Sequence, residues 1–233
     1  MECSALALIP AAGQGTRFGS EKQFLQLAGA PLLAHTLRPF QESSMIKEIV
    51  LVVPKGWEKR VLETIIKPRA LTKVRQVVTG GHERQDSVRL GLEALETDSK
   101  LILIHDGARP LVTGEIIARA VQDTYIHGAT LVGVPATDTI VQANAEGMVA
   151  RTLNRETLWM VQTPQSFRHE LIRRAHQEAK IDGFVGTDDA SLVERLGHAV
   201  KVIPGSYENI KVTTAQDFKL AEEILLQRQR AQE

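Results

Sequence analysis

Leu8-Ile9-Pro10-Ala11-Ala12-Gly13-Gln14-Gly15-Thr16-Arg17-Phe18-Gly19 is an apolar run that breaks abruptly into a small-residue loop carrying one arginine. The run at 5–10 reads as a buried strand, and a glycine-rich loop after a strand is built to wrap an anion. Gly13, Gly15 and Gly19 can take up positive φ and let backbone N–H groups approach phosphate oxygens that a Cβ would obstruct. Arg17 and Lys22 add positive charge beside the cradle. A glycine-rich turn that serves packing alone is the other reading of this segment.

The loop departs from both common phosphate motifs. Gly19 is followed by Ser20 and Glu21, so the Gly-Lys-Ser/Thr register of a Walker loop is missing. A dinucleotide fingerprint wants Gly or Ala at its sixth position, where Phe18 stands, and an acidic residue at the tip of a second strand. Neither motif is met, which disfavours a nicotinamide-dependent oxidoreductase.

Outward from this loop, apolar runs rich in Val, Ile and Leu at 5–10, 46–53, 74–78, 101–105, 129–135 and 199–203 alternate with helical patterns. Helices are expected at 31–40, 57–66, 87–95, 113–124, 168–179, 188–196 and 215–229, the last opened by a Thr214-x-x-Asp217 capping box. Such alternation predicts one α/β domain over 1–233, doubly wound around a mostly parallel sheet. Ligands of such sheets sit beyond the carboxyl ends of the strands, where the glycine loop and the residues after Ile104 both fall.

The interval 137–159 interrupts the pattern. Two short β-like pieces, 139–142 and 148–152, flank the polar turn Ala143-Asn144-Ala145-Glu146-Gly147, which predicts a protruding β-hairpin arm. A two-stranded hairpin is marginal alone in water, so a second copy of the chain is its expected partner and a homodimer the expected assembly, with a hairpin folded back on its own domain as the alternative.

Composition narrows the function. Lys+Arg and Asp+Glu stand at 28 each, so there is no global basic field for nucleic acid, and local cations are left to serve small anions. The single cysteine, Cys3, allows no intrachain disulfide and fits a reducing, cytoplasmic setting. The apolar run at 5–12 is too short for a bilayer span and lacks a basic leader before it, so neither membrane nor secretion is expected.

Chemistry-bearing residues recur farther along. Asp106, in His105-Asp106-Gly107-Ala108-Arg109-Pro110, falls at a strand's carboxyl end, the place for a carboxylate that holds a metal or a ligand hydroxyl; a turn-capping aspartate with Arg109 on a surface carboxylate is the alternative. Gly80-Gly81-His82-Glu83-Arg84-Gln85-Asp86-Ser87-Val88 is a loop entering a helix, able to read the edge of a base through its N–H groups and Ser87, or to supply only a helix cap. Arg155 and Lys211 are isolated cations. Gln162-Thr163-Pro164-Gln165-Ser166-Phe167 and Thr187-Asp188-Asp189-Ala190-Ser191 read as loops offering hydroxyls and carboxylates, the second more naturally a helix start. The histidines show no metal-ligand spacing.

In their joint order these segments resemble the 2-C-methyl-D-erythritol 4-phosphate cytidylyltransferases of the non-mevalonate isoprenoid pathway. The resemblance runs from Ala7 to about Ala221. It is carried by Ala11-Ala12-Gly13-x-Gly15-x-Arg17 with Lys22-Gln23, Gly80-Gly81-x-x-Arg84-x-Asp86-Ser87-Val88, His105-Asp106-x-Ala108-Arg109-Pro110, Asn154-Arg155, Gln162-Thr163-Pro164-Gln165, Thr187-Asp188 and Asn209-Ile210-Lys211-Val212-Thr213. It implies a Rossmann-like core, a dimer whose arms complete each other's sites, CTP and methylerythritol phosphate as substrates, and Mg2+. By matching position, Arg17 and Lys22 would grip the triphosphate, while Arg155 of a second copy and Lys211 would hold the acceptor phosphate. Asp106 would hold magnesium or ribose, with Arg109 beside it. Ala11, Ala12, Gly13 and Gly15 would line the triphosphate loop, Gly81 and Ser87 would lie near cytosine, and Thr139, Thr163 and Thr187 would contact the polyol phosphate. The chain departs from the usual pattern at Glu21, where proline is common, at His82, often acidic or small, and at Glu208, often aspartate.

Chemistry agrees with this set of residues. A phosphate monoester has a second pKa of about 6 and is already a dianion at neutral pH, so the nucleophile needs no general base. Its approach to a polyanionic triphosphate is the obstacle, and cations with in-line positioning answer it. A ribitol- or other polyol-phosphate cytidylyltransferase shares the nucleotide half, and a silent nucleotide-binding regulator would have no physical reason to keep all five of Arg17, Lys22, Asp106, Arg155 and Lys211.

Overall fold

The computed structural model describes residues 4–13 and 22–231, apart from the Lys22 side chain. Its centre is a seven-stranded sheet of β1 (Ala5–Pro10), β2 (Ile46–Val53), β3 (Val74–Thr79), β4 (Leu101–Ile104), β5 (Ala129–Pro135), β8 (Trp159–Arg168) and β9 (Lys201–Pro204). The spatial order is β9-β5-β8-β4-β1-β2-β3. β8 runs antiparallel to both neighbours, and every other pairing is parallel.

The sequence dictates this sheet by burial on both faces. In β1, Ala5, Ala7 and Ile9 join one core while Leu6 and Leu8 join the other, as the two-residue period of a strand requires. The first core is closed by α1 (Leu32–Glu42), the helical segment 58–69 and α3 (Gly114–His127). The second is closed by α2 (Arg84–Glu93), α4 (His169–Ile181) and α5 (Asp189–Arg195). A smaller cluster seats α6 (Ala215–Arg230) through Ala221 on Leu27, Leu111 and Val212. The Thr214–Asp217 capping box opens α6 as expected.

The interval 137–159 holds a separate hairpin, β6 (Val141–Ala143) and β7 (Val149–Thr152), exposed along its whole length. Three expectations need correction. The 162–167 stretch, read as a loop, is the middle of β8, buried between β4 and β5. The helix expected at 87 begins at Arg84, capped by Glu83 with Asp86 as its reciprocal partner, so Ser87 lies inside the helix. The helix expected at 57–66 is one α turn, Glu58–Val61, followed by a wider π stretch, Leu62–Ile66.

Candidate active site

The carboxyl ends of β1, β3 and β4 bring three loops together. Their register continues past the strands: His105 N–H donates to the Leu8 carbonyl at 3.0 Å, Gly107 N–H to Pro10 at 3.0 Å, Ala11 N–H to Val52 at 2.7 Å and Gly80 N–H to Val53 at 2.8 Å. Ala11 and Ala12 are thereby sandwiched between two glycines. A Cβ at Gly80 would stand 2.2 Å from the Ala12 Cβ, and one at Gly107 would stand 2.7 Å from the Ala11 Cβ. Small residues are required on both sides of that contact. Gly13, next along, is exposed, with open space at the position its Cβ would take. Buried Gln23 ties the loop down by donating to the Ala11 carbonyl at 2.9 Å and the Gly13 carbonyl at 3.0 Å. Gly15 and Arg17 lie outside the described residues, as does the Lys22 side chain; the Lys22 backbone opens a short 3-10 turn, Lys22–Phe24.

Asp106 is the electrostatic centre. Its Oδ1 accepts from Arg84 Nε at 2.8 Å, its Oδ2 meets Lys211 Nζ at 2.8 Å, and Arg109 Nε stands 3.9 Å away. Burial alone would raise this carboxyl, but Arg84, Lys211 and Arg109 outweigh it and hold the group well below the usual carboxylate range. Arg109 in turn donates through NH1 to the Asn209 carbonyl at 2.7 Å, which joins the loop after β4 to the segment carrying Lys211. Asp106 and Arg109, on the loop after β4, and Lys211, more than a hundred residues on, are therefore brought into one cluster.

Thr163 lies beneath them in β8, its hydroxyl accepting from Asp106 N–H at 3.0 Å and meeting His105 Nδ1 at 3.0 Å. His105 Nε2 faces the Arg109 carbonyl at 3.2 Å. A carbonyl can only accept, so Nε2 carries the proton and Nδ1 accepts from Thr163. Burial pushes the His105 pKa down to about 4, keeping the ring neutral. Ser87, at the other side, accepts from Gly81 N–H at 3.2 Å and donates to the Glu83 carbonyl at 3.1 Å, fixing the loop that enters α2.

The remaining sequence candidates are apart from this cluster. Thr139 and Arg155 are exposed on the arm segment, where Arg155 NH1 donates to the Thr137 carbonyl at 2.8 Å. Thr187 is exposed just ahead of α5, whose start Asp188 caps by accepting from Ser191 N–H. Sequence reasoning missed Arg84, Asp189 and His176 as site residues. Arg84 NH1 stands 2.8 Å from Asp189 Oδ2, and His176 Nε2 stands 3.0 Å from Asp189 Oδ1. The available signal was a charged residue, Arg84, just after the Gly80-Gly81 loop, with no local carboxylate spaced to explain it.

The 2-C-methyl-D-erythritol 4-phosphate cytidylyltransferase family model matches residues 5–227. A protein of that name from Pelotomaculum thermopropionicum is 47% identical over 225 residues, covering 96% of this chain and 94% of its own. One from Alkaliphilus metalliredigens is 48% identical over 223 residues, covering 95% and 92%. Among solved structures, 2-C-methyl-D-erythritol 4-phosphate cytidylyltransferase from Thermus thermophilus superposes with a TM-score of 0.78 at 36% identity, covering 96% of this chain and 98% of that one. The 4-diphosphocytidyl-2C-methyl-D-erythritol synthase from Anaerococcus prevotii superposes with a TM-score of 0.85 at 30% identity over the same shares.

Proposed function

The chain belongs to the 2-C-methyl-D-erythritol 4-phosphate cytidylyltransferase family, and we propose that it runs the family's reaction in the crevice around Asp106. It is a nucleotidyltransferase of isoprenoid precursor synthesis that moves the cytidylyl group of CTP onto 2-C-methyl-D-erythritol 4-phosphate. An oxygen of the acceptor phosphate forms a bond to the α-phosphorus, the bond from that phosphorus to the bridging oxygen breaks, and pyrophosphate leaves. The observation that carries the site assignment is the gathering of Arg84, Arg109 and Lys211 around one buried carboxylate at the end of β4.

In this reading the exposed loop at Gly13, with Gly15, Arg17 and Lys22, receives the triphosphate, Gly81 and Ser87 border cytosine, and Lys211 meets the acceptor phosphate. Cations do the chemical work, because the anionic reactants repel each other more strongly as they close. His105 is no rival as a general base: both its ring nitrogens are committed and burial lowers its pKa to about 4, which leaves it a weak base. Incubating the protein with CTP, Mg2+ and methylerythritol phosphate should release pyrophosphate, with ribitol phosphate in parallel releasing far less. Equal release from both acceptors would reassign the enzyme to the wider polyol-phosphate class.

The donor set suits magnesium supplied with the nucleotide. No group of three or more His, Cys, Asp or Glu side chains that could hold a metal ion occurs among the described residues. Mg2+ commonly takes one or two carboxylates and completes its shell with phosphates and water, so Asp106 would hold it through Oδ2, once Lys211 has turned to the acceptor phosphate. When bound, the metal supplies neutralisation of triphosphate charge.

A homodimer is supported by the arm. Val141, Met148 and Val149 are 45%, 67% and 62% exposed, and Trp159, Met160 and Val161 extend the apolar surface along the start of β8. An apolar hairpin open to water calls for a partner. Arg155, carried on this arm, would then serve the crevice of the second copy. Light scattering should give twice the chain mass at micromolar concentration. Mixing inactive Arg155→Ala with inactive Lys211→Ala should restore up to about a quarter of wild-type activity, because half the dimers are mixed and each holds one intact site. A monomer, or mixtures that stay inactive after subunit exchange, would remove the shared site. A cytoplasmic location is consistent with the lone cysteine and with the lack of any described helix long and apolar enough to cross a membrane.

A further inference from the structure

We propose that Arg84 is a positioning residue for Asp106, and that its own seat is set by the buried pair of Asp189 and His176 behind it. The inference rests on the cytidylyltransferase reading and adds residues that never touch a substrate in it.

Arg84 stands in the first turn of α2 and uses two different nitrogens on two different carboxylates. Nε donates a hydrogen bond to Asp106 Oδ1 at 2.8 Å, and NH1 forms an ion pair with Asp189 Oδ2 at 2.8 Å that lacks the angle of a hydrogen bond. A planar guanidinium reaches both carboxylates at once through separate nitrogens, which a lysine's single ammonium would not. Asp106 therefore presents Oδ2 to Lys211 and the crevice because Oδ1 is turned toward Arg84.

Asp189 is enclosed, its side chain only 1% exposed, and its backbone N–H donates to Gln165 Oε1 at 3.1 Å. The same Gln165 oxygen accepts from Ala190 N–H at 3.0 Å, and Gln165 Nε2 donates to Asp188 Oδ2 at 2.8 Å. β8 thus anchors the start of α5, and Asp189 cannot follow a wandering arginine. Behind it, His176 of α4 meets Asp189 Oδ1 through Nε2 at 3.0 Å. His176 Nδ1 is buried with no hydrogen-bond partner among the described residues. A proton on Nδ1 would leave an unmatched buried donor, so Nε2 carries the proton and points it at the carboxylate. Burial would raise the Asp189 carboxyl, but Arg84 and His176 outweigh it, so Asp189 stays charged. The order His176, Asp189, Arg84, Asp106, Lys211 is a continuous file of opposed charge and hydrogen bonds running from the helix layer to the reacting centre.

If Asp189 acts on catalysis only through Arg84, removing both should cost no more than removing Arg84 alone. The experiment measures kcat and KM by pyrophosphate release for Arg84→Met, Asp189→Asn and the double variant, with melting curves to select folded proteins. Each single variant is expected to lose about 10- to 100-fold in kcat, the range seen when a group orienting an active-site ligand is removed. KM for the acceptor should change less than kcat, and the double variant should match Arg84→Met. Arg84→Lys should fall between wild type and Arg84→Met, and it replaces Arg84→Met in the cycle should the latter not fold. His176→Leu, which removes the donor to Asp189, substitutes in the same way for Asp189→Asn, and His176→Gln, which retains a donor, should stay near wild type. Additive losses, or full kcat in a folded Arg84 variant, would overturn the inference while the wild type remains active. Absence of pyrophosphate release from the wild type would overturn the reading beneath it as well.

Discussion

Arg17→Ala and Lys22→Ala should each lower kcat by about 10²-fold or more, the loss typical of deleting one preorganised donor to developing charge. The acceptor is a dianion at neutral pH, so removing a proton does not limit the reaction. What limits it is bringing that dianion against a triphosphate. The described cations around Asp106 do not answer this alone: five charged groups gather there, two carboxylates and three cations, leaving a surplus of one positive charge before substrate arrives. In the proposed reading the further charge for the triphosphate comes from Arg17, in the glycine loop, and Lys22, five residues on. Turnover at saturating CTP and acceptor, alongside melting temperature, checks the point. Near-normal kcat in either variant would strip that residue of its role.

Acid should destabilise the fold well before its carboxylates titrate. His105 is fully buried with its pKa pushed down to about 4 by desolvation, against an ordinary value of 6.5. Above pH 6.5 neither folded nor unfolded chain protonates this ring, and its full contribution to stability is present. As pH falls, the unfolded chain takes up a proton that the folded chain refuses until about pH 4, so stability drops across that window. At 1.36 kcal/mol per unit of difference the loss is about 2 kcal/mol by pH 5 and about 3 kcal/mol by pH 4. His35 and His169 are also lowered by burial and add in the same direction. Asp106 and Asp189, both held low, contribute stability that goes only below the ordinary carboxylate range, and so steepen the fall at still lower pH. Urea midpoints at pH 7.5 and 5.0 for wild type and His105→Gln measure the effect. The variant should show the shallower dependence, and an unchanged slope would mean that the ring titrates freely in the folded protein.

The sheet was legible where burial is apolar. β1, β2 and β5 begin and end where the sequence reading puts them, because strands covered on both faces are rich in Val, Ile, Leu and Ala. β8 was not legible, for the opposite reason. Gln162, Thr163, Gln165 and Ser166 are buried polar residues in the middle of a sheet. Their polarity reads as a loop, yet their partners come from distant segments: Gln162 Nε2 donates to the Ser206 carbonyl, Thr163 meets His105, and Gln165 holds the start of α5. No local pattern encodes a hydrogen bond to a residue forty positions away.

The candidate site divides along the same line. By itself the sequence determined that an α/β sheet carries a glycine-rich loop after its first strand, that its cations are scattered without forming a basic field, and that Asp106 stands at a strand's carboxyl end, since these follow from residue type and local period. Tertiary structure alone decided that Arg84 faces two carboxylates, that Lys211 reaches Asp106 across 105 positions of chain, and that His105 is neutral. Charge pairing and desolvation depend on which groups share a buried volume, and that is fixed only when the strands have taken their places in the sheet.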